Sequence, residues 1–168
     1  TNEKNLNNHL FENISTVGIP KNLKNTVYQF NYGKINELIK LIKKNSIGIV
    51  IMEFARIKEL NINFFKSVKR ICKKYNCILI FDECTSGFRE HIGGVHMKYK
   101  IEPDIVTFGK AIGNGYPITC LLAKEKLRNK SEKAFISSTN WSDRIGFVAA
   151  NKTIEIMKEI KSNKIIEK

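Results

Sequence analysis

No long apolar run occurs in this 168-residue chain. Nothing approaches the roughly 18–20 apolar residues of a membrane helix, so a membrane-spanning helix is not expected. Nor is a signal peptide, because Thr1–Leu10 is polar and Asn-rich rather than basic and then apolar. Arginine is scarce: only Arg56, Arg70, Arg89, Arg128 and Arg144 stand among 29 basic residues. Base readout and bidentate phosphate contacts favour Arg. The formal charge of +13 therefore reads as a solvated, Lys-rich surface rather than a nucleic-acid face. Zinc spacing is missing as well. Cys72 and Cys77 have no second pair or His cluster, so no metal site is expected. With Cys84 and Cys120 also in apolar settings, the cysteines read as reduced and the chain as cytoplasmic.

What is present is enough apolar residue, 42%, to bury a core. The length suits one domain or part of a larger one. Strands are expected at Thr26–Phe30, Ile47–Met52, Cys77–Phe81, Ile105–Phe108 and Pro117–Ala123. The nearly all-apolar Ile47–Met52 suits a strand buried on both faces. Helical spacing covers Lys34–Lys44, Asn61–Tyr75 and Ser142–Ile160. In the last of these Phe147, Ala150, Ile154 and Met157 are expected to face inward. Strands alternating with helices make the class α/β, a mostly parallel sheet with flanking helices.

Functional groups in such sheets collect at the carboxyl ends of the strands. Asp82 closes one apolar strand and Lys110 follows another. Asp82 suits a cationic ring, a metal or a backbone amide; a helix-capping loop carboxylate is the plainer alternative. Lys110 sits among Gly109, Gly113 and Gly115, which permit close backbone approach. A lysine partly desolvated there can act as an amine nucleophile that forms Schiff bases. The phosphate-loop patterns fail, since Ala111 follows Lys110 and Ile118 stands where a third glycine belongs. Ser137-Ser138-Thr139-Asn140-Trp141-Ser142 precedes the long helix. Its hydroxyls suit capping that helix, the commoner use, or gripping a phosphate.

Leu79-Ile80-Phe81-Asp82-Glu83-Cys84-Thr85-Ser86-Gly87-Phe88-Arg89, then Pro103 through Pro117 around Lys110, then Ser137-Ser138-Thr139, resemble in order and spacing the class III, fold-type I aminotransferases. These enzymes use pyridoxal 5'-phosphate (PLP). The similarity runs from about Gly18 to Ala150 and is nearest the glutamate-1-semialdehyde aminomutase group. The resemblance implies an aminotransferase or aminomutase that moves an amino group through a Lys110 Schiff base. It also implies a small-molecule amino donor and acceptor: an amino acid, a semialdehyde or a keto sugar. Freed Lys110 would carry the proton, and Asp82 would pair with the pyridine nitrogen. Cys84 stands where the family usually has Val against the ring. Thr139 would bind the cofactor phosphate of the neighbouring subunit in a homodimer. Glu83 belongs to the motif with a less defined cofactor contact. Glu53-Phe54 departs from the family's usual Glu-Pro.

The resemblance also implies an upstream phosphate-binding turn and a downstream small domain, and nothing in this sequence resembles either. Residues 1–168 are therefore expected to be part of a PLP-binding large domain, weakly active or inactive alone. A catalytically inactive PLP-fold remnant is the rival reading, and a basic nucleic-acid binder a more distant one.

Overall fold

Three apolar runs become neighbouring parallel strands because each is short, rich in β-branched residues and followed by a chain reversal. They are β1 (Ile49–Glu53), β2 (Ile78–Asp82) and β3 (Ile105–Phe108). A fourth strand, β4 (Cys120–Ala123), pairs antiparallel with β3, and the sheet order is β1-β2-β3-β4. The computed structural model describes residues 18–23, 25–54 and 60–166. The polar start Thr1–Leu10 and the final Lys168 lie outside them. The expected mixed α/β architecture with a mostly parallel sheet is what the chain forms.

The chain divides into two compact units, Thr1–Ile47 and Gly48–Lys168. In the first, α1 (Ile35–Lys44) forms over the expected span. Glu37 accepts from the Asn31 backbone N–H at 2.9 Å, which fixes the turn leading into α1. The expected strand Thr26–Phe30 does not form; its residues are a bend and irregular chain. β-propensity yields a strand only where a partner ladder exists, and Thr26 instead bonds to Leu23 through both its backbone N–H and its hydroxyl.

The second unit holds the sheet. Register places Val50, Met52, Leu79, Phe81, Val106 and Phe108 on one face. That face is the core, with Val50, Leu79, Phe81, Val106 and Phe108 buried. Helix α2 (Ile62–Lys74) packs on β2. Asn61 starts α2 by accepting from the Phe64 N–H at 3.0 Å. Its stripe Phe65, Val68 and Cys72 is fully buried, and Phe65 lies 4.2 Å from Phe54 between ring centroids. Phe54 in turn meets Phe81 at 4.8 Å.

The opposite face is more open. Ile49 and Ile51 of β1 are 55% and 60% exposed. The expectation of burial on both faces is thus corrected: β1 is the outer strand of the sheet, and its Val50 side is sealed while its Ile49 and Ile51 side is open. Asp82 and Thr107 lie on this same face, as register partners at the ends of β2 and β3.

Beyond β4 come α4 (Glu125–Ser131), α5 (Arg144–Glu159) and the short α6 (Ser162–Ile166); α3 (Val95–Lys98) precedes β3. Helix α5 packs on the 3-10 turn Lys110–Ile112. Its buried positions are Gly146 and Ala150. Phe147, expected inward, is 58% exposed. The buried stripe begins one residue earlier, because Gly146 allows close approach: a Cβ there would meet Ile118 at 3.2 Å.

Candidate active site

Parallel strands deliver Asp82 and Lys110 to the carboxyl end of the sheet. Asp82 is the last residue of β2, and Lys110 follows β3 by two residues. Thr107, the register partner of Asp82, donates its hydroxyl to Asp82 Oδ1 at 3.1 Å. The Cys84 backbone N–H donates to the same oxygen at 3.0 Å. The Cys84 thiol also donates a hydrogen bond to this carboxylate. Phe54 fixes the Asp82 backbone from the β1 side, its N–H donating to Asp82 O at 3.3 Å. A proline in that place has no N–H to give. The departure at Glu53-Phe54 therefore adds one ladder bond and a fully buried ring beneath Asp82.

Lys110 has φ +47°, a left-handed conformation that a residue with a side chain seldom holds. Its Nζ donates to Thr85 Oγ1 at 2.7 Å. Cys84 lies among these groups. Burial pushes its thiol above the ordinary range, the Asp82 carboxylate adds to that, and Thr107 and Lys110 oppose it. The thiol is thus neutral at pH 7. Gly109 leaves room here, since a Cβ at that position would meet Cys84 Sγ at 3.2 Å. Asp82, Cys84, Thr85, Thr107 and Lys110 therefore form one cluster.

Glu83 is not brought to that cluster. It is fully buried, and both its oxygens are engaged elsewhere. Oε2 accepts from Ser86 Oγ at 2.9 Å and Val95 N at 2.6 Å, and Oε1 from His96 N at 3.0 Å. His96 Nδ1 is 2.6 Å from Oε1. A carboxylate only accepts, so Nδ1 carries the proton. Burial pushes the Glu83 carboxyl up, but the hydrogen bonds from His96 and Val95 outweigh it and hold the group below its ordinary value of 4.5.

Thr139 and Lys110 line one cavity of about 500 Å³ together with Tyr116, Ser138, Trp141 and Phe147. Asp82 and Cys84 do not line it. The capping reading of the Ser137–Ser142 hydroxyls is corrected: Asp143 caps α5, accepting from the Ile145 N–H at 2.8 Å. That leaves Ser138 and Thr139 facing the cavity.

The sequence alone marks no role for Thr85, Thr107 or His96. Thr107 was recoverable, because strand register places it beside Asp82. Thr85 and His96 depend on the path of the loop between them, which has no periodic signal.

An amine, a carboxylate and a hydroxyl-lined cavity suit a cofactor with an aldehyde, a ring nitrogen and a phosphate. Known proteins agree. Residues 17–168 match the aminotransferase class-III family. The 3-aminobutyryl-CoA aminotransferase of Cloacimonas acidaminovorans is 37% identical over 149 residues, covering 83% of this chain and 36% of that protein. A glutamate-1-semialdehyde 2,1-aminomutase of Legionella pneumophila is 35% identical over 122 residues, or 67% of this chain and 28% of that one. The Sphingopyxis FumI protein, solved in its PLP internal aldimine form, is 26% identical with a TM-score of 0.67, over 74% of this chain and 31% of FumI. An omega-transaminase from Sphaerobacter thermophilus, 21% identical, shares the fold with a TM-score of 0.76 over 84% of this chain and 35% of its own. The chain spans about a third of the length of the curated relatives. No described helix is long and apolar enough to cross a membrane. Family match and fold agree over most of the sequence, and this chain belongs to the class-III aminotransferases.

Proposed function

We propose that this chain carries the lysine-bearing part of a PLP-dependent aminotransferase or aminomutase. The observation that carries the proposal is the Lys110 amine, held at the end of β3, clustered with Asp82 and Cys84 and opening on the cavity that Thr139 lines. When bound, PLP supplies an aldehyde carbon that amines join and a protonated ring that draws electrons from a neighbouring C–H bond. Lys110 would hold the cofactor through Nζ. Once displaced by an incoming amine, Nζ would take up and return the substrate proton. Asp82 would accept the ring N–H on its carboxylate, keeping that proton in place. Cys84, as a neutral thiol, would pack against the ring without competing as a nucleophile. Thr139, with Ser138 beside it, would hold the phosphate of the cofactor bound in a neighbouring subunit. Glu83 would act on its own loop instead.

Donor and acceptor would be small molecules, with an amino acid, a semialdehyde or a keto sugar as the substrate class. A second copy is the proposed partner. Phe135, Trp141, Phe147 and Val148 are exposed around Thr139 and α5, an apolar surface that a neighbouring subunit would cover. The 168 residues would then be part of a larger cofactor-binding domain, binding PLP weakly alone.

The test is reductive trapping. The protein is incubated with PLP, reduced with borohydride and mapped by peptide mass. The adduct is expected on the Lys110 peptide in preference to other lysines, and in Lys110→Ala that preference disappears. An adduct spread evenly over the surface lysines overturns the proposal.

A further inference from the structure

Among the described residues, the Lys110 amine has one hydrogen-bond partner, and it is neither Asp82 nor Cys84. It is the Thr85 hydroxyl, 2.7 Å away. Thr85 stands on the loop from Glu83 to Gly94, and that loop is fixed along its length. The buried Glu83 carboxylate holds Ser86 on one side and Val95 and His96 on the other. The Gly87 N–H donates to Glu83 O at 2.8 Å, and the Phe88 N–H to Gly93 O at 2.6 Å. Arg89 Nε donates to the Thr85 carbonyl at 2.7 Å.

The loop also rests on the strand that leads to Lys110. A Cβ at Gly87 would fall 2.5 Å from the Phe108 ring, so only glycine fits there. The Phe88 ring meets Phe108 edge-on at 5.2 Å. Phe88 and Lys110 both hold positive φ, +59° and +47°. Such conformations persist in residues with side chains only when the surroundings over-determine them. The Thr85 end of the contact is therefore set by packing on Phe108, the last residue of the strand that leads to Lys110.

We propose that Thr85 is a positioning residue for the Lys110 amine, held in place by the Glu83–Ser86–His96 clamp. A lysine side chain has much rotamer freedom to lose, and an untethered amine spends its time in solvent. A hydroxyl accepts from an ammonium and donates to a free amine, so this tether serves both protonation states. Thr85 thus keeps Nζ near Cys84 while the amine is not engaged. This inference rests on the function proposed above, because it deepens the role of the same lysine.

The experiment is the same trapping, at limiting PLP, in the parent and in Thr85→Val, Thr85→Ala, Thr85→Ser and His96→Ala, with thermal unfolding recorded for each. The readout is the share of adduct on Lys110 relative to the other lysines. That share is expected to fall roughly 5- to 10-fold in T85V and T85A, the size of one net hydrogen bond, and to return in T85S. H96A is expected to lower it with Thr85 intact, because the clamp is released. A T85A protein that folds and keeps the parent's share overturns the inference, as does a T85S protein that fails to regain it. A parent without preference for Lys110 overturns the proposed function itself, so the two failures are distinct.

Discussion

Beneath Asp82 the chain stacks Phe54, Phe65 and Phe81 into a sealed aromatic cluster, whereas around Thr139 it leaves Phe135, Trp141 and Phe147 facing outward. Phe54 is fully buried, and Phe135 is 97% exposed. Both regions border the same candidate site. The first positions its carboxylate with groups supplied by its own fold: the Phe54 N–H, the Thr107 hydroxyl and the Cys84 N–H. The second presents hydroxyls on a surface whose apolar side chains are mostly exposed. The difference teaches where each half of the site draws its rigidity. One half is set by folding, and the other, on the proposed reading, by association.

That contrast is open to attack by substitution. The largest effect is expected inside. Phe54→Ala removes the ring shared by Phe65 and Phe81 and should destabilise the folded chain by about 3–5 kcal/mol in denaturant unfolding. A loss of less than 1 kcal/mol would mean the cluster under Asp82 is not sealed.

Glu83→Gln comes next, with a cost of about 1–3 kcal/mol near neutral pH because a buried donor loses its charged acceptor. The pH dependence has a definite sign. The folded-state carboxyl lies below its ordinary 4.5, so its stabilisation is present above that value and is lost as pH falls through the lower folded value. Unfolding midpoints measured from pH 7 down to pH 3 should fall in the parent and converge with those of E83Q. Parallel curves for the two proteins would break this assignment.

The smallest stability change is expected at the rim. Phe147→Asp should shift unfolding by no more than about 0.5 kcal/mol, since the ring is mostly exposed. Sedimentation of the parent and F147D should show self-association only in the parent. A large stability loss in F147D would erase the contrast between the two regions.

How much of this was legible follows from what periodicity encodes. Ile78–Asp82 and Ile105–Phe108 announce themselves as apolar runs, and an acid or a lysine just beyond such a run falls at the strand-end lip. Asn61 and the stripe of α2 were equally readable, from helical spacing. Thr26–Phe30 satisfies β-propensity through its Thr, Val, Tyr and Phe yet has no ladder to join. Phe147 was misplaced by one residue because glycine carries no hydrophobic signal, yet Gly146 sets the closest approach of α5. The role of Glu83 was hidden for another reason. It follows Asp82 directly, so strand alternation sends it to the opposite side, where His96 lies thirteen residues away through an aperiodic loop.

The antiparallel turn of β4 has a kinetic consequence. Between β3 and β4 the chain needs only residues 109–119, whereas β1 reaches β2 through residues 54–77 and β2 reaches β3 through residues 83–104. Loop closure costs less over the shorter path, and low contact order favours early pairing. The hairpin that contains Lys110 is thus the cheapest part of the sheet to assemble. The strand bearing Asp82 must close a connection about twice as long, which costs about 0.6 kcal/mol more. Order in the site would spread from the lysine toward the carboxylate.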